Sequence, residues 1–315
     1  MDELLIREYL SKKGITIIGQ CFHHDKNITH KDIISQINLI VKLHKVLVGC
    51  SFSGLSGIKS TIGKEIEDYK VQIKKLEMYY DHIVNKSCHN EVDRLILANG
   101  KTMLKKAKET VSYIYEHDYF GVIRRSMNRE ELCLEKVQPN NLRRNEDKIE
   151  IGIIKDMTYN LVEEDLYNYI KKLQRAEMNI DEEELIKVFI YESHLSFNSF
   201  DYLRGLCNYP RGFLRVWMKY VEMKSERNTL INKVKINENE INHGKSNEIN
   251  DWKNSVINGQ KNNEINKQRV KLMDNEQDKF NEKSKINRKN KTNEELLLEF
   301  EKSLKYESKS FIKSR

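Results

Sequence analysis

Leu132-Cys133-Leu134-Glu135-Lys136-Val137-Gln138-Pro139-Asn140-Asn141 is the stretch on which the reading of this chain turns. Its apolar run, Glu131–Val137, is short, and Pro139-Asn140-Asn141 closes it with residues that favour turns. Such a run, bounded by turn formers, reads as a strand. After a charged turn at Arg143–Lys148, Ile149-Glu150-Ile151-Gly152-Ile153-Ile154 opens with the alternation of a half-buried strand. Two short segments joined by a polar turn predict a small β-ribbon.

Helices surround that ribbon. Only two prolines, Pro139 and Pro210, interrupt the chain. Leu4, Leu5, Tyr9 and Leu10 have helical spacing, and Gly14 sits where a helix stops. Ile15–Ile18 is β-branched and short, a strand or an extended hinge. Thr29-His30-Lys31-Asp32 resembles an acidic capping box, and it opens a helix with Ile33, Ile37, Ile40, Val41, His44 and Leu47 along one stripe. Further helices are expected over about 62–85 and 89–116, then over 162–173, 182–193, 198–208 and 210–224, with Pro210 in the first turn of the last. The Gly/Ser-rich stretch 49–57 has neither the preceding strand nor the Lys-Ser/Thr of a P-loop, and reads as a surface loop. The fold class that follows is mainly α with a small β-ribbon.

The chain's 315 residues are 33% charged and 38% apolar, but the apolar deficit is local. From Ser225 onward there are 17 Asn, and 20 Lys/Arg against 15 Asp/Glu, which carries +5 of the net +7. Asn-Glu-Ile-Asn recurs at 239–242, 247–250 and 263–266. Such a segment buries too little apolar surface to offset its ordering entropy. Two regions are therefore expected: a folded domain over 1–224 and an Asn/Lys/Glu-rich tail over 225–315, disordered or partly helical. Within the tail, Leu296, Leu297, Phe300 and Leu304 define a short amphipathic helix at Glu294–Lys305, read as transient or as a docking element for a partner.

Composition also excludes several classes. The positive charges are interspersed with negative ones, without the one-sided basic face of a specific nucleic-acid binder. Cys21, Cys50, Cys88, Cys133 and Cys207 form no CxxC pair and no zinc spacing, so reduced thiols are expected. Met1–Arg7 is acidic and short of apolar length for a signal peptide. No segment reaches the ~18 apolar residues of a membrane span. The protein is expected to be made and kept inside its cell.

The order of helical hairpin, loop, ribbon and helical cap resembles the C-terminal lobe of aminoglycoside-phosphotransferase-like kinases, and more closely the spore coat CotS family. Ile40-Val41-Lys42-Leu43-His44 with Gly49 is similar to that family's Leu-Ala-x-Phe-His stretch and following loop. Leu132-Cys133 and Asn141 match the flanks of its catalytic loop, Leu-Cys-His-Gly-Asp-x-x-x-x-Asn, whereas Leu134, Glu135 and Lys136 replace His, Gly and Asp. Its metal-binding Ile-Asp-Phe-Asp segment falls at Ile154-Lys155-Asp156-Met157, with Lys155 where the first Asp should stand. Asp165-Leu166 resembles the Asp-Leu before its capping helices, and Tyr209-Pro210-Arg211-Gly212-Phe213, with Trp217 and Tyr220, its late aromatic signature. The resemblance covers residues 5–224.

What the resemblance implies is a phosphotransferase frame without the phosphotransferase chemistry. Phosphoryl transfer depends on electrostatic positioning: one Asp receives the attacking hydroxyl's proton and another holds Mg²⁺. Lys136, with a reference pKa of about 10.4, carries the wrong charge for the first task, and Lys155 repels the metal of the second. Asn141 remains as a potential metal ligand and Glu135 as a potential base, while Asp156 is one residue out of register, a slip that on a strand turns a side chain to the opposite face. The chain ahead of Thr29 is also too short for the β-rich lobe that roofs a nucleotide. A pseudokinase is expected, with no catalytic residue, no cofactor and no metal. Its implied role is structural, in the spore coat or its assembly, with other coat proteins as partners. Cytoplasmic synthesis in the mother cell and deposition on the spore follow from the same resemblance. The alternatives are a small-molecule phosphotransferase with unorthodox residues, and a regulatory binding module acting through its tail.

Overall fold

The computed structural model describes residues 3–23, 28–49, 57–146, 148–226, 229 and 294–306. The chain falls into two compact units, one of Met1–Lys74 with Leu104–Tyr209 and the other of Lys75–Met103 with Pro210–Arg315. The elements are α1 (Glu3–Lys12), β1 (Ile15–Ile17), α2 (His30–Leu47), α3 (Lys64–Val84), α4 (Glu91–Glu116), α5 (Tyr119–Arg129), β2 (Leu132–Cys133), β3 (Leu142–Asn145), β4 (Lys148–Ile151), β5 (Thr158–Tyr159), α6 (Val162–Arg175), α7 (Glu182–Ser193) and α8 (Phe197–Asn208). Two further helices run over 211–226 (α9) and 294–306 (α10).

In the first unit, α1 ends at Gly14, whose φ of +78° is a left-handed conformation that costs a glycine nothing. The chain then enters β1, which pairs in parallel with β4, while β3 pairs with β4 antiparallel on the other side, giving the order β1-β4-β3. A second, two-stranded sheet joins β2 to β5, and Ser60 bridges to Tyr159 beside it. Helix α2 lies at the centre, against β2, β3, α6 and α7. Its capping box is formed: Thr29 Oγ1 accepts from Asp32 N, and Asp32 Oδ2 accepts from Thr29 N. Ile33, Ile37, Ile40, Val41, His44 and Leu47 are all buried, as their spacing predicts.

The β-ribbon differs from its expectation. Its hairpin is β3 with β4, so most of the segment read as a charged turn is a strand. Arg143, Arg144 and Asn145 lie exposed on this sheet edge and only Leu142 points inward, which leaves no apolar alternation to read. The run 131–137 stops being a strand at Cys133, because Glu135 adopts φ 65° and turns the chain. Helix α5 is an addition to the sequence reading. Asp118 caps it by accepting from Gly121 N, and Tyr119, Val122 and Ser126 form its buried face.

The second unit is centred on Asp93, which is fully buried. Its Oδ1 accepts from Tyr79 OH, Tyr220 OH and Lys224 Nζ at 3.0, 3.0 and 2.8 Å, and Lys86 Nζ lies 3.3 Å from its Oδ2. Burial raises the Asp93 carboxyl's pKa, but Lys224 and the two phenols override that and bring it down to about 2. Helix α9 carries Phe213 and Trp217 into the same core, and Pro210 precedes it with its carbonyl accepting from Leu214 N. Of the tail, Ser225 and Glu226 end α9, Thr229 is described, and α10 packs on α9 through Phe300 against Phe213, ring centroids 5.1 Å apart. Residues 230–293, with the Asn-Glu-Ile-Asn repeats, lie outside the described residues, as do Cys50 and the rest of 50–56 in the Gly/Ser-rich stretch.

Candidate functional site

The catalytic-loop-like segment is held from below by the first turn of α6. Glu163, Glu164 and Asp165 are all buried there, at the helix end where the backbone dipole favours negative charge. Asp165 Oδ2 accepts from Leu134 N at 3.0 Å and its Oδ1 from Glu135 N at 2.8 Å, so one carboxylate fixes the turn of the loop. His44 Nε2 lies 2.8 Å from Asp165 Oδ2. The Nε2–H tautomer completes this bond, and Nδ1 is buried without a hydrogen-bond partner. His44 and Asp165, 121 positions apart and drawn separately into the family resemblance, thus meet beneath the loop.

Each substituted position has a definite environment. Leu134 is buried in the core. Glu135 stands where the resembled motif has Gly and adopts the left-handed backbone that Gly accommodates best. Its carboxylate accepts from Thr158 Oγ1 at 2.9 Å and Asn168 Nδ2 at 3.2 Å, on the β5–α6 side of the loop. Burial, then the charge of Asp165, raises its pKa above the usual carboxylate range. Lys136 is exposed and reaches Asp156, with Nζ 2.6 Å from Oδ2. Lys155 points into solvent. The strand-register expectation for Asp156 fails here because β4 ends at Ile151 and residues 155–156 form a turn. A turn brings Asp156 to the loop, where an alternating strand would have turned it away.

Asn141 has a structural occupation. Its Nδ2 donates to Lys136 O and Ile153 O, and its Oδ1 accepts from Ile153 N at 2.7 Å. The side chain ties the loop to the segment after β4. The N-terminal strand adds a third tie, as Ile18 N, Gly19 N and Phe22 N donate to Ile151 O, Gly152 O and Asn140 O.

A second charged network lies behind the loop. Arg125 of α5 donates to both oxygens of Glu163, to Glu131 Oε2 and to Ser199 Oγ, at 2.6–2.8 Å. Arg129 Nε lies 3.4 Å from Glu131 Oε1, an ion pair without an aligned hydrogen bond. Burial disfavours the charge of Glu163, but the Arg125 guanidinium overrides this and holds its pKa low. Among the described residues, Glu164 has no cation beside it. It accepts from Asn160 Nδ2 and Tyr202 OH, and burial together with the charge of Glu65 pushes its pKa up to about 8.

Among the described residues, neither group of possible metal ligands suits a metal. Where the resemblance implies Mg²⁺, the lone carboxylate, Asp156, is paired with Lys136, and the Asn141 amide oxygen accepts from Ile153 N. Mg²⁺ needs oxygen ligands free of competing cations, so this donor set does not fit it. His44, Cys133 and Asp165 also converge, with one ligand atom from each within 4.8 Å of the others. There, both Asp165 oxygens hold backbone amides, and Cys133 Sγ donates to Leu161 O at 3.3 Å. Burial drives the Cys133 thiol pKa well up, away from the thiolate that metals bind.

Among the other cysteines, Cys21 and Cys88 carry exposed free thiols and Cys207 a half-buried one. Among the described residues, no helix is long and apolar enough to cross a membrane.

No protein-family model and no curated protein matches the chain. One solved structure similar to it is that of an aminoglycoside phosphotransferase from Alicyclobacillus acidocaldarius, with a TM-score of 0.50 and 11% sequence identity, over 66% of this chain and 69% of that one. At that identity the likeness is one of fold: the chain is mainly helical with a small sheet, and its architecture is similar to that of a phosphotransferase.

Proposed function

We propose that this chain is a non-catalytic, kinase-derived binding or scaffold protein, in which a phosphotransferase-like loop survives as framework. The carrying observation is the ion pair between Lys136 Nζ and Asp156 Oδ2 at 2.6 Å. It puts a cation where the resemblance requires the base for the nucleophile, and it neutralises Asp156, the carboxylate beside the metal position that Lys155 occupies. The commitment of Asn141 to Ile153 and Lys136 backbone atoms supports the same reading. So does Asp165, whose two oxygens both accept loop backbone amides. The setting we infer is the spore coat or its assembly, with other coat proteins as partners; this rests on the CotS resemblance.

The test is nucleotide binding and turnover by the purified full-length chain. With millimolar ATP and Mg²⁺ we expect no saturable thermal shift and no phosphate release above a blank. A saturable shift accompanied by turnover would overturn the proposal.

A second reading, a phosphotransferase with unorthodox residues, draws on Glu135, whose raised pKa suits a general base better than an ordinary carboxylate does. That reading requires activity in the natural chain and its loss in Glu135→Gln. A regulatory module acting through 225–315 instead requires a specific complex that deletion of the tail abolishes.

A further inference from the structure

Helix α10 is short, 294–306, and its apolar face is narrow: Leu296 and Phe300 are buried, and Ser303 and Leu304 partly so, while Leu298 on the other side is exposed. On α9 it meets a seat with three features. Phe213 offers an aromatic floor, its ring 5.1 Å from that of Phe300. Gly212 removes the side chain that would otherwise stand in the way, since a Cβ there would lie 3.3 Å from Ser303 Cβ. Lys219 Nζ pairs with Glu299 Oε1 at 3.2 Å and sets the direction of the helix. This is helix-in-groove recognition, with Leu296 and Phe300 as anchors at i and i+4 of α10.

The chain between α9 and α10 spans residues 227–293. A stretch of that many residues can span at most on the order of 200 Å at ~3.3 Å per residue, which is chain enough to reach the same seat on a second copy. Two anchor side chains and one exposed ion pair make a weak seat. We propose that α10 is a detachable docking helix, seated on its own α9 in dilute solution and exchanged into the same groove of a second copy when copies are crowded. Exchange gives closed pairs when reciprocal and open chains when not. The inference stands apart from the chemistry of the loop, and its failure would leave the reading of Lys136 and Asp156 untouched.

Full-length Phe300→Asp, whose own α10 cannot dock, serves as receptor for a fluorescein-labelled peptide of residues 294–306. Saturable anisotropy is expected with that variant, and an apparent affinity at least about tenfold weaker with the natural chain, whose own helix competes. Adding Gly212→Leu to the receptor should abolish binding, since it fills the groove without touching Phe213. In sedimentation equilibrium the natural chain should gain mass with concentration, whereas Gly212→Leu should not. Should Phe300→Asp fail to fold, the sedimentation comparison decides alone. Peptide that ignores Phe300→Asp, binding that survives Gly212→Leu, or a natural chain that stays monomeric at millimolar concentration would each overturn the proposal. The last result would make the seat an intramolecular clasp only.

Discussion

Glu135 condenses what has happened to the loop. A residue with a β-carbon pays roughly 1–2 kcal/mol to stand in the left-handed region, yet here its carboxylate bonds Thr158 and Asn168. The two effects separate by substitution. Glu135→Ala keeps the strain and loses the hydrogen bonds, and should cost about 1–2 kcal/mol. Glu135→Gly loses the same bonds but relieves the strain, and should be more stable than the Ala variant by about 1 kcal/mol. Urea midpoints compare the two, and an Ala variant as stable as the Gly variant would contradict the strained backbone. At this scale the sequence was informative but incomplete. The charge reversal at Lys136 is legible as a substitution, whereas its ion pair with Asp156 is not, because it depends on where β4 ends. The structural role of Asn141 was equally hidden, since its partners are backbone atoms.

At the scale of elements, long helices with strong caps were legible and short strands were not. Helix α2 announces itself through Thr29, Asp32 and its apolar stripe, while β3 exists through its pairing with β4. Helix α5 lay between, with Asp118 as its cap and only three buried side chains. Its anchorage is electrostatic: Arg125 satisfies two buried carboxylates at once. Arg125→Met would strand Glu163 without its cation and leave Glu131 only the more distant Arg129, and breaking a buried pair in this way typically costs about 3–5 kcal/mol. The loss should shrink as pH falls and the stranded carboxyls protonate, which denaturation at pH 7 and pH 4.5 can read. The α2 cap is a smaller matter, and Thr29→Ala should lower stability by about 1 kcal/mol.

For the molecule as a whole, two carboxylates shape the pH dependence in opposite senses. Glu164 has its pKa raised to about 8 in the folded state. Its contribution is complete below the ordinary carboxylate pKa of about 4.3 and is lost as pH rises through 8. Asp93 has its pKa lowered to about 2, so its contribution is present above about 3.9 and is lost as pH falls toward 2. Stability should therefore decline on both sides of about pH 4–5 as far as these groups govern it. Glu164→Gln should flatten the alkaline limb and Asp93→Asn the acid one, as measured by urea midpoints from pH 3 to 8. Unchanged limbs in these variants would refute the assignment.

The parallel strand β1 carries a consequence for biosynthesis. Ile15 pairs with Ile149 and Ile17 with Ile151, so this strand leaves the ribosome long before the one it joins. At ~5–20 residues per second the interval is about seven to twenty-seven seconds. During it, a β-branched segment waits with its ladder groups unmet. Amphipathic α1 is its immediate neighbour, and Arg7 of that helix donates to Ile17 O at 2.8 Å. Helix α1 is synthesised together with β1, so the Arg7 guanidinium is available to meet the Ile17 carbonyl throughout that wait.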